Sequence, residues 1–168
     1  LAKDAGINAQ KEALKMALGD SEARFATAES CTGGALGAVF ASDSELGPHL
    51  ERGFIAYSLD AKEAMLGVPR EESEPCAGVS PAVAEAMARG ALERSEADYG
   101  VAITGFCGPQ EQDEEVGLVY LVLVPKTGPV DLRECHFGDV GREKVLEQAV
   151  AEALELISDQ LKPGSTDS

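Results

Sequence analysis

The sequence predicts an α/β fold, a three-layer α/β/α sandwich around a mixed β-sheet, in one domain spanning all 168 residues. Three observations carry this expectation. Residues 25–40 pass from a small, apolar stretch, through a polar block with two glycines, into an apolar run, the pattern of a strand, a tight turn and a buried helix. Strand-like and helix-like segments then alternate through the first two-thirds of the chain, as they do where helices cross over between parallel strands. Finally, residues 116–124 are almost continuously apolar and residues 130–137 have weaker strand character, with Pro125, Gly128 and Pro129 between them. That pair reads as an antiparallel hairpin and makes the sheet mixed.

In chain order, residues 8–18 carry Ala9, Ala13, Leu14, Met16 and Leu18 among lysines and glutamates, with Gly19 as a stop, so a surface helix is expected. The strand at 25–28 and the helix at 35–40 flank the turn Glu29-Ser30-Cys31-Thr32-Gly33-Gly34. Residues 41–52 have loop composition and contain His49, read as a solvent-exposed loop histidine. A second strand follows at 53–57, then Ser58 as the cap of a short helix ending at Gly67. Residues 68–79 hold two prolines and several acids and read as a connecting loop. Ser80-Pro81 is a strong helix start, and Val83, Ala84, Met87, Ala91 and Leu92 continue it at the helical period. Residues 99–104 are the clearest central strand, ending in Gly105-Phe106-Cys107-Gly108-Pro109 and then the acidic loop Gln110-Glu111-Gln112-Asp113-Glu114-Glu115. His136 is read as an ordinary strand histidine. Asp139 is the expected cap of a long helix with Val145, Leu146, Ala149, Val150, Ala153, Leu154, Ile157 and Leu161 on one face. Residues 1–7 and 162–168 are expected as frayed tails.

Composition bounds the function. A chain with 44% hydrophobic and 26% charged residues can bury one ordinary core, and nothing approaches the ~18 consecutive apolar residues of a membrane span. A net charge of −16 opposes nucleic acid and anionic membranes as partners, since both are held by lysine and arginine. The first residues lack the basic and apolar regions of a secretory signal. Cys31, Cys76, Cys107 and Cys135 show no C-x-x-C spacing and no clustered histidines, so no zinc site is expected. Reduced thiols and a cytoplasmic location follow as expectations.

The chemistry is expected at the strand ends. Ser30 sits near a helix start, where unpaired N–H groups and the helix dipole would favour an anion, although ordinary N-capping looks the same in sequence. Cys31 is the rival nucleophile, because thiol pKa values can fall at helix starts. Lys62 and Tyr57 follow the second strand, and Thr104 closes the central one, so these groups could converge on one edge of the sheet. With no well-placed histidine, the available base for Ser30 is Lys62, whose pKa falls when desolvated. N–H groups of the Thr32-Gly33-Gly34 turn would form an oxyanion hole, worth ~3 kcal/mol per donor. The arrangement describes hydrolysis of an amide or ester.

Glu29-Ser30-Cys31-Thr32-Gly33-Gly34, Tyr57-Ser58 with Ala61-Lys62 and Leu66-Gly67-Val68, Gly78-Val79-Ser80, Ala102-Ile103-Thr104-Gly105 with Gly108-Pro109, and Val116-Gly117 with Val119-Tyr120 together resemble the CinA carboxy-terminal domain family. The resemblance implies a nicotinamide-nucleotide amidohydrolase that converts nicotinamide mononucleotide to nicotinate mononucleotide and ammonia without metal or cofactor. It implies Ser30 as nucleophile and Lys62 as base, with Tyr57 and Thr104 assisting. Glu29, Cys31, Thr32, Gly33, Gly34, Gly105, Gly108 and Arg142 are the expected substrate-binding positions. The expected partners are a small nucleotide substrate and, in a homodimer, a second copy of the chain. Two departures stand out. The acidic loop replaces a glycine-rich turn and would repel a nucleotide phosphate by ~1 kcal/mol or more per carboxylate at short range. In Gly138-Asp139-Val140-Gly141-Arg142, Arg142 alone remains of the arginines at the last helix start. The alternative reading is a paralogue that binds a nucleotide or protein partner without deamidase turnover.

Overall fold

The computed structural model describes residues 2–164. Five strands, β1 (Phe25–Glu29), β2 (Leu50–Ile55), β3 (Tyr99–Gly105), β4 (Leu118–Pro125) and β5 (Asp131–His136), form one sheet in the order β2-β1-β3-β4-β5. β1 runs parallel to β2 and β3, while β3 with β4 and β4 with β5 are antiparallel, so the sheet is mixed as the sequence predicts. Parallel neighbours require crossovers. Helix α2 (Ala35–Ala41) connects β1 to β2; α3 (Leu59–Leu66), α4 (Arg70–Ser73) and α5 (Pro81–Glu93) lie between β2 and β3. Helix α1 (Ala2–Leu18) packs along α6 (Arg142–Leu161).

Period-two alternation in the strands creates the two cores. Phe25, Val101, Ile103, Val119 and Leu121 face one side, where they pack with Leu14, Leu36, Phe40, Val145 and Leu154 from α1, α2 and α6. Ala26, Ala28, Ala102, Tyr120 and Val122 face the other, against Leu66, Val83, Met87 and Ala91 from α3 and α5. The small residues on that second face allow close approach. A Cβ on Gly90 of α5 would lie 2.1 Å from the carbonyl oxygen of Leu66, and one on Gly100 of β3 would lie 2.2 Å from that of Ala88.

Glu29, the last residue of β1, fixes the turn that follows. It is buried, and its Oε1 accepts from Thr32 Oγ1 at 2.7 Å and from Leu36 N–H at 2.8 Å, while Oε2 accepts from Gly37 N–H at 3.0 Å. Gly34, in the N-cap position of α2 with φ 98°, has no side chain to cap the helix, so the carboxylate from the preceding strand takes that place. Negative charge at a helix start is favoured by the unpaired N–H groups there.

Several boundaries differ from expectation. Helix α1 begins at Ala2, so residues 2–7 are helical rather than a tail. Strand β2 begins at Leu50, three residues early, because an edge strand tolerates the polar Glu51 and Arg52 that hide it from an apolar pattern. The segment 68–79 contains the four-residue α4. Asp139 does not cap α6; that helix starts at Arg142 after Gly141, whose φ of 97° suits glycine, and no side chain caps it. The expected caps Ser58 and Ser80 are in place, accepting from the N–H groups of Ala61 and Val83. Residues 162–164 follow α6, and the remainder of the expected C-terminal tail lies outside the described residues.

Two substitutions test this account by urea unfolding. Gly90→Ala drives a methyl group into the Leu66 carbonyl and should cost about 2 kcal/mol or more. Glu29→Gln replaces a charge-assisted acceptor with an amide that must turn a donor toward backbone N–H groups, and should cost a similar ~2 kcal/mol.

Candidate active site

The parallel strands deliver their C-terminal ends to one edge, and the chain leaves each through a short turn. Beyond β1, Ser30 N–H donates to Ile103 O of β3 at 3.0 Å; beyond β2, Ala56 N–H donates to Glu29 O at 2.9 Å. Ser30 is therefore anchored by the sheet itself. Lys62 lies one turn into α3, whose start is fixed by Ser58, and reaches back to this edge.

Lys62 Nζ donates to Ser30 Oγ at 2.8 Å and to Ala56 O at 3.2 Å. The lysine is 2% exposed and the serine 7%. Burial pushes the Lys62 amine below the ordinary lysine range, and only the Cys31 and Cys76 thiols act weakly in the opposite direction. No carboxylate pairs with Lys62 among the described residues. The result is a serine hydroxyl in contact with an amine that loses its proton more readily than usual.

This pair opens onto a cavity of about 840 Å³ whose lining includes Cys31, Tyr57, Gly105, Cys107, Gly108 and Arg142. Arg142 Nη1 donates to Gly108 O and Nη2 to the Tyr57 hydroxyl, each at 2.5 Å. Both acceptors are neutral, and among the described residues no carboxylate pairs with Arg142. Tyr57 is 58% exposed and stands at the rim with this arginine. Glu74, Glu111, Asp113 and Glu114 line the same cavity. Glu114 Oε1 and Oε2 accept from the N–H groups of Glu111 and Gln112, at 2.6 and 2.9 Å, which braces the acidic loop and holds the Glu114 carboxyl below its usual range. Sequence reasoning did not place Glu74 here; no motif marks it, and its neighbourhood depends on the fold of 68–79.

Several expected site positions lie away from the cavity wall. Glu29 and Thr32 are buried in the anchor of α2 and do not line the cavity, nor do Gly33 and Gly34. The start of α2 is not free for an anion, because Glu29 holds the Leu36 and Gly37 N–H groups. Within the expected oxyanion turn, Gly33 N–H donates to Ser30 O, whereas the N–H groups of Thr32 and Gly34, and that of Cys31 just before the turn, have no partner among the described residues. Thr104 also lies outside the cavity wall. Cys31, expected as an activated thiol, is the reverse: hydrogen bonding with Cys107 and burial raise its pKa well above the ordinary thiol value. Its partner Cys107 is lowered, first by that hydrogen bond and further by the charge of Arg142.

The histidines stay apart from this site. His49 Nδ1 pairs with Ala23 O at 2.6 Å, and His136 is flanked by Glu115 and Glu134, which raise its pKa. Among the described residues no group of three or more His, Cys, Asp or Glu side chains is placed to hold a metal ion. None of the described helices is long and apolar enough to cross a membrane.

Comparison with known proteins agrees with this architecture. The nicotinamide-nucleotide amidohydrolase PncC of Escherichia coli (strain K12) is 38% identical over 160 residues, covering 94% of this chain and 96% of that protein. A CinA-like protein of Synechocystis is 41% identical over 140 residues, 82% of this chain but 34% of the longer relative. The crystal structure of competence/damage inducible protein CihA from Agrobacterium tumefaciens superposes with a TM-score of 0.84 at 35% identity, covering 90% of this chain and 93% of that one. The model of the CinA C-terminal domain matches residues 7–161. With its sheet, its helices and nearly its whole length accounted for in this way, the chain belongs to the CinA C-terminal domain family.

Proposed function

We propose that the chain is an amidohydrolase that cleaves the carboxamide of nicotinamide mononucleotide to give nicotinate mononucleotide and ammonia, with Ser30 as nucleophile and Lys62 as base. The observation that carries the reading is the 2.8 Å contact between Lys62 Nζ and Ser30 Oγ inside a buried site. The relative of known name that covers nearly the whole chain supports the amide class.

In this mechanism neutral Lys62 takes the hydroxyl proton as Ser30 Oγ bonds to the carboxamide carbon. The carbonyl electrons move onto oxygen, and the resulting oxyanion is met by the unpartnered N–H of Cys31, which borders the cavity beside the nucleophile. Lys62 then passes its proton to the amide nitrogen, the C–N bond breaks and ammonia leaves, with the acyl group esterified to Ser30. Water attacks the ester, Lys62 accepts its proton, and return of that proton to Ser30 releases the carboxylate. Arg142, held among the described residues by neutral acceptors, is free to exchange a carbonyl for a substrate phosphate.

Ammonia release from nicotinamide mononucleotide tests the roles. Ser30→Ala should reduce turnover to background and Lys62→Ala by about 100-fold or more, with folding retained in both, whereas Cys31→Ala should remain active. Activity surviving in Ser30→Ala and lost in Cys31→Ala would reverse the assignment.

The acidic wall bears on substrate preference. Glu111→Gln with Asp113→Asn should raise kcat/KM for the phosphate-bearing substrate several-fold at low ionic strength, and the gain should shrink as salt screens the exposed carboxylates. An equal gain on a phosphate-free nicotinamide compound would remove electrostatic repulsion as the cause.

A further inference from the structure

We propose that Thr104 is a positioning residue for the base: by holding the Gly78 carbonyl it clamps the 76–79 loop over Lys62 and keeps water from the amine. The inference rests on Lys62 being the base proposed above. Thr104 is 1% exposed and outside the cavity wall, so it does not meet the substrate. Its Oγ1 donates to Gly78 O at 2.7 Å, and Gly78 N–H donates to Ser73 O at 2.7 Å. The two bonds pin both sides of one residue.

What that residue covers is the end of the lysine. A Cβ on Gly78 would lie 3.2 Å from Lys62 Cε, 3.3 Å from Lys62 Nζ and 3.1 Å from Leu59 Cδ2, so the loop runs beside the amine with no space for a side chain between them. Ser30 Oγ and Ala56 O occupy two directions around Nζ, and Gly78 closes another. The loop does not rest there for free, because Ala77 has φ 53° and Gly78 φ 78°, and a left-handed alanine is strained. A strained loop against a buried amine needs an external tether. Thr104 supplies it, and the preceding residue of the same strand, Ile103, holds Ser30 through its carbonyl. β3 thus sets both the nucleophile and the cover of its base.

The ionisable groups facing Lys62 are the Cys31 thiol from the turn after β1 and the Cys76 thiol from the covering loop; Glu74 and Arg142 line the same cavity, and Asp60 and Glu63 on α3 pair outward with Arg70. The amine's acidity therefore depends chiefly on its dryness. For a base with a depressed pKa, the active neutral form is populated above that pKa, so kcat/KM rises with pH along an acidic limb. Wetting the amine returns the pKa toward the ordinary lysine value and moves the limb to higher pH.

The test is the pH profile of kcat/KM for Thr104→Val, which keeps the side-chain shape and removes the donor. The limb should move about one pH unit higher, so that activity on its slope falls about tenfold while the alkaline plateau stays within a few-fold. Thr104→Ser, which keeps the hydroxyl, should restore the limb. A lowered plateau with an unmoved limb would show a packing role and overturn the proposal. Should the valine variant fail to fold, Thr104→Ala removes the donor with less bulk and must move the limb in the same way. The pH dependence of Lys62 acetylation by acetic anhydride, followed by mass spectrometry, reads the same shift without turnover. If the parent hydrolyses no nicotinamide compound but labelling of Lys62 still shifts in Thr104→Val, the amidase reading fails and the clamp stands; an unshifted labelling profile sinks the clamp whatever the activity.

Discussion

The contact between Lys62 and Ser30 is the constraint around which this end of the molecule is arranged. An amine in water holds its proton too tightly to serve as a base near neutral pH, and an amine buried without partners is costly to the fold. Around Lys62 the structure places two neutral acceptors, Ser30 Oγ and Ala56 O, and no carboxylate among the described residues, which suits the base proposed for it. A carboxylate beside Lys62 would have made the fold more comfortable and the amine a poorer base. The positions of both acceptors come from the sheet, since Ser30 is held through Ile103 and Ala56 through Glu29.

Charge is distributed with the same logic. The chain carries 30 acidic and 14 basic residues of Lys and Arg type, so carboxylates are abundant everywhere. Lys15, Arg52, Arg70, Arg89 and Arg133 all sit in ion pairs on the surface. Among the described residues, Lys62 and Arg142, the basic side chains lining the cavity, do not. In a protein this acidic, a cation facing neutral acceptors retains its capacity to engage a ligand, whereas a paired one has largely spent it.

Much of this was legible in the sequence, for physical reasons that differ by element. Strands β3 and β4 are buried on both faces and read as continuous apolar runs, and Ser58 and Ser80 cap their helices through chemistry local in the chain. Edge strand β2 starts earlier than its apolar pattern indicates, because its exposed residues carry no such pattern. Asp139 has the chemistry of a cap and sits before the helix, yet the Gly141 backbone makes the turn with no side-chain cap. Strand-end positions bring Ser30 and Lys62 toward one edge, and in the structure Lys62 Nζ lies 2.8 Å from Ser30 Oγ. The role of Glu29 was not legible, because its partners are backbone N–H groups seven and eight residues on, and no residue type announces a backbone partner.

The same limit applies to the choice between Ser30 and Cys31, which adjacency in sequence leaves open. Both residues border the cavity, and a thiol at a helix start is ordinarily the better nucleophile. Here the premise fails twice. The start of α2 is filled by the Glu29 carboxylate, so the partial positive charge that would lower a thiol pKa is already neutralised. Cys31 is also buried against Cys107, and the Arg142 charge favours the thiolate of Cys107, leaving Cys31 to keep its proton. Ser30, intrinsically weaker, is the residue whose oxygen touches an amine prepared to accept a proton. On the proposed mechanism, reactivity at this turn is decided by which side chain reaches Lys62, and the contact itself follows from the anchoring of Ser30 to β3.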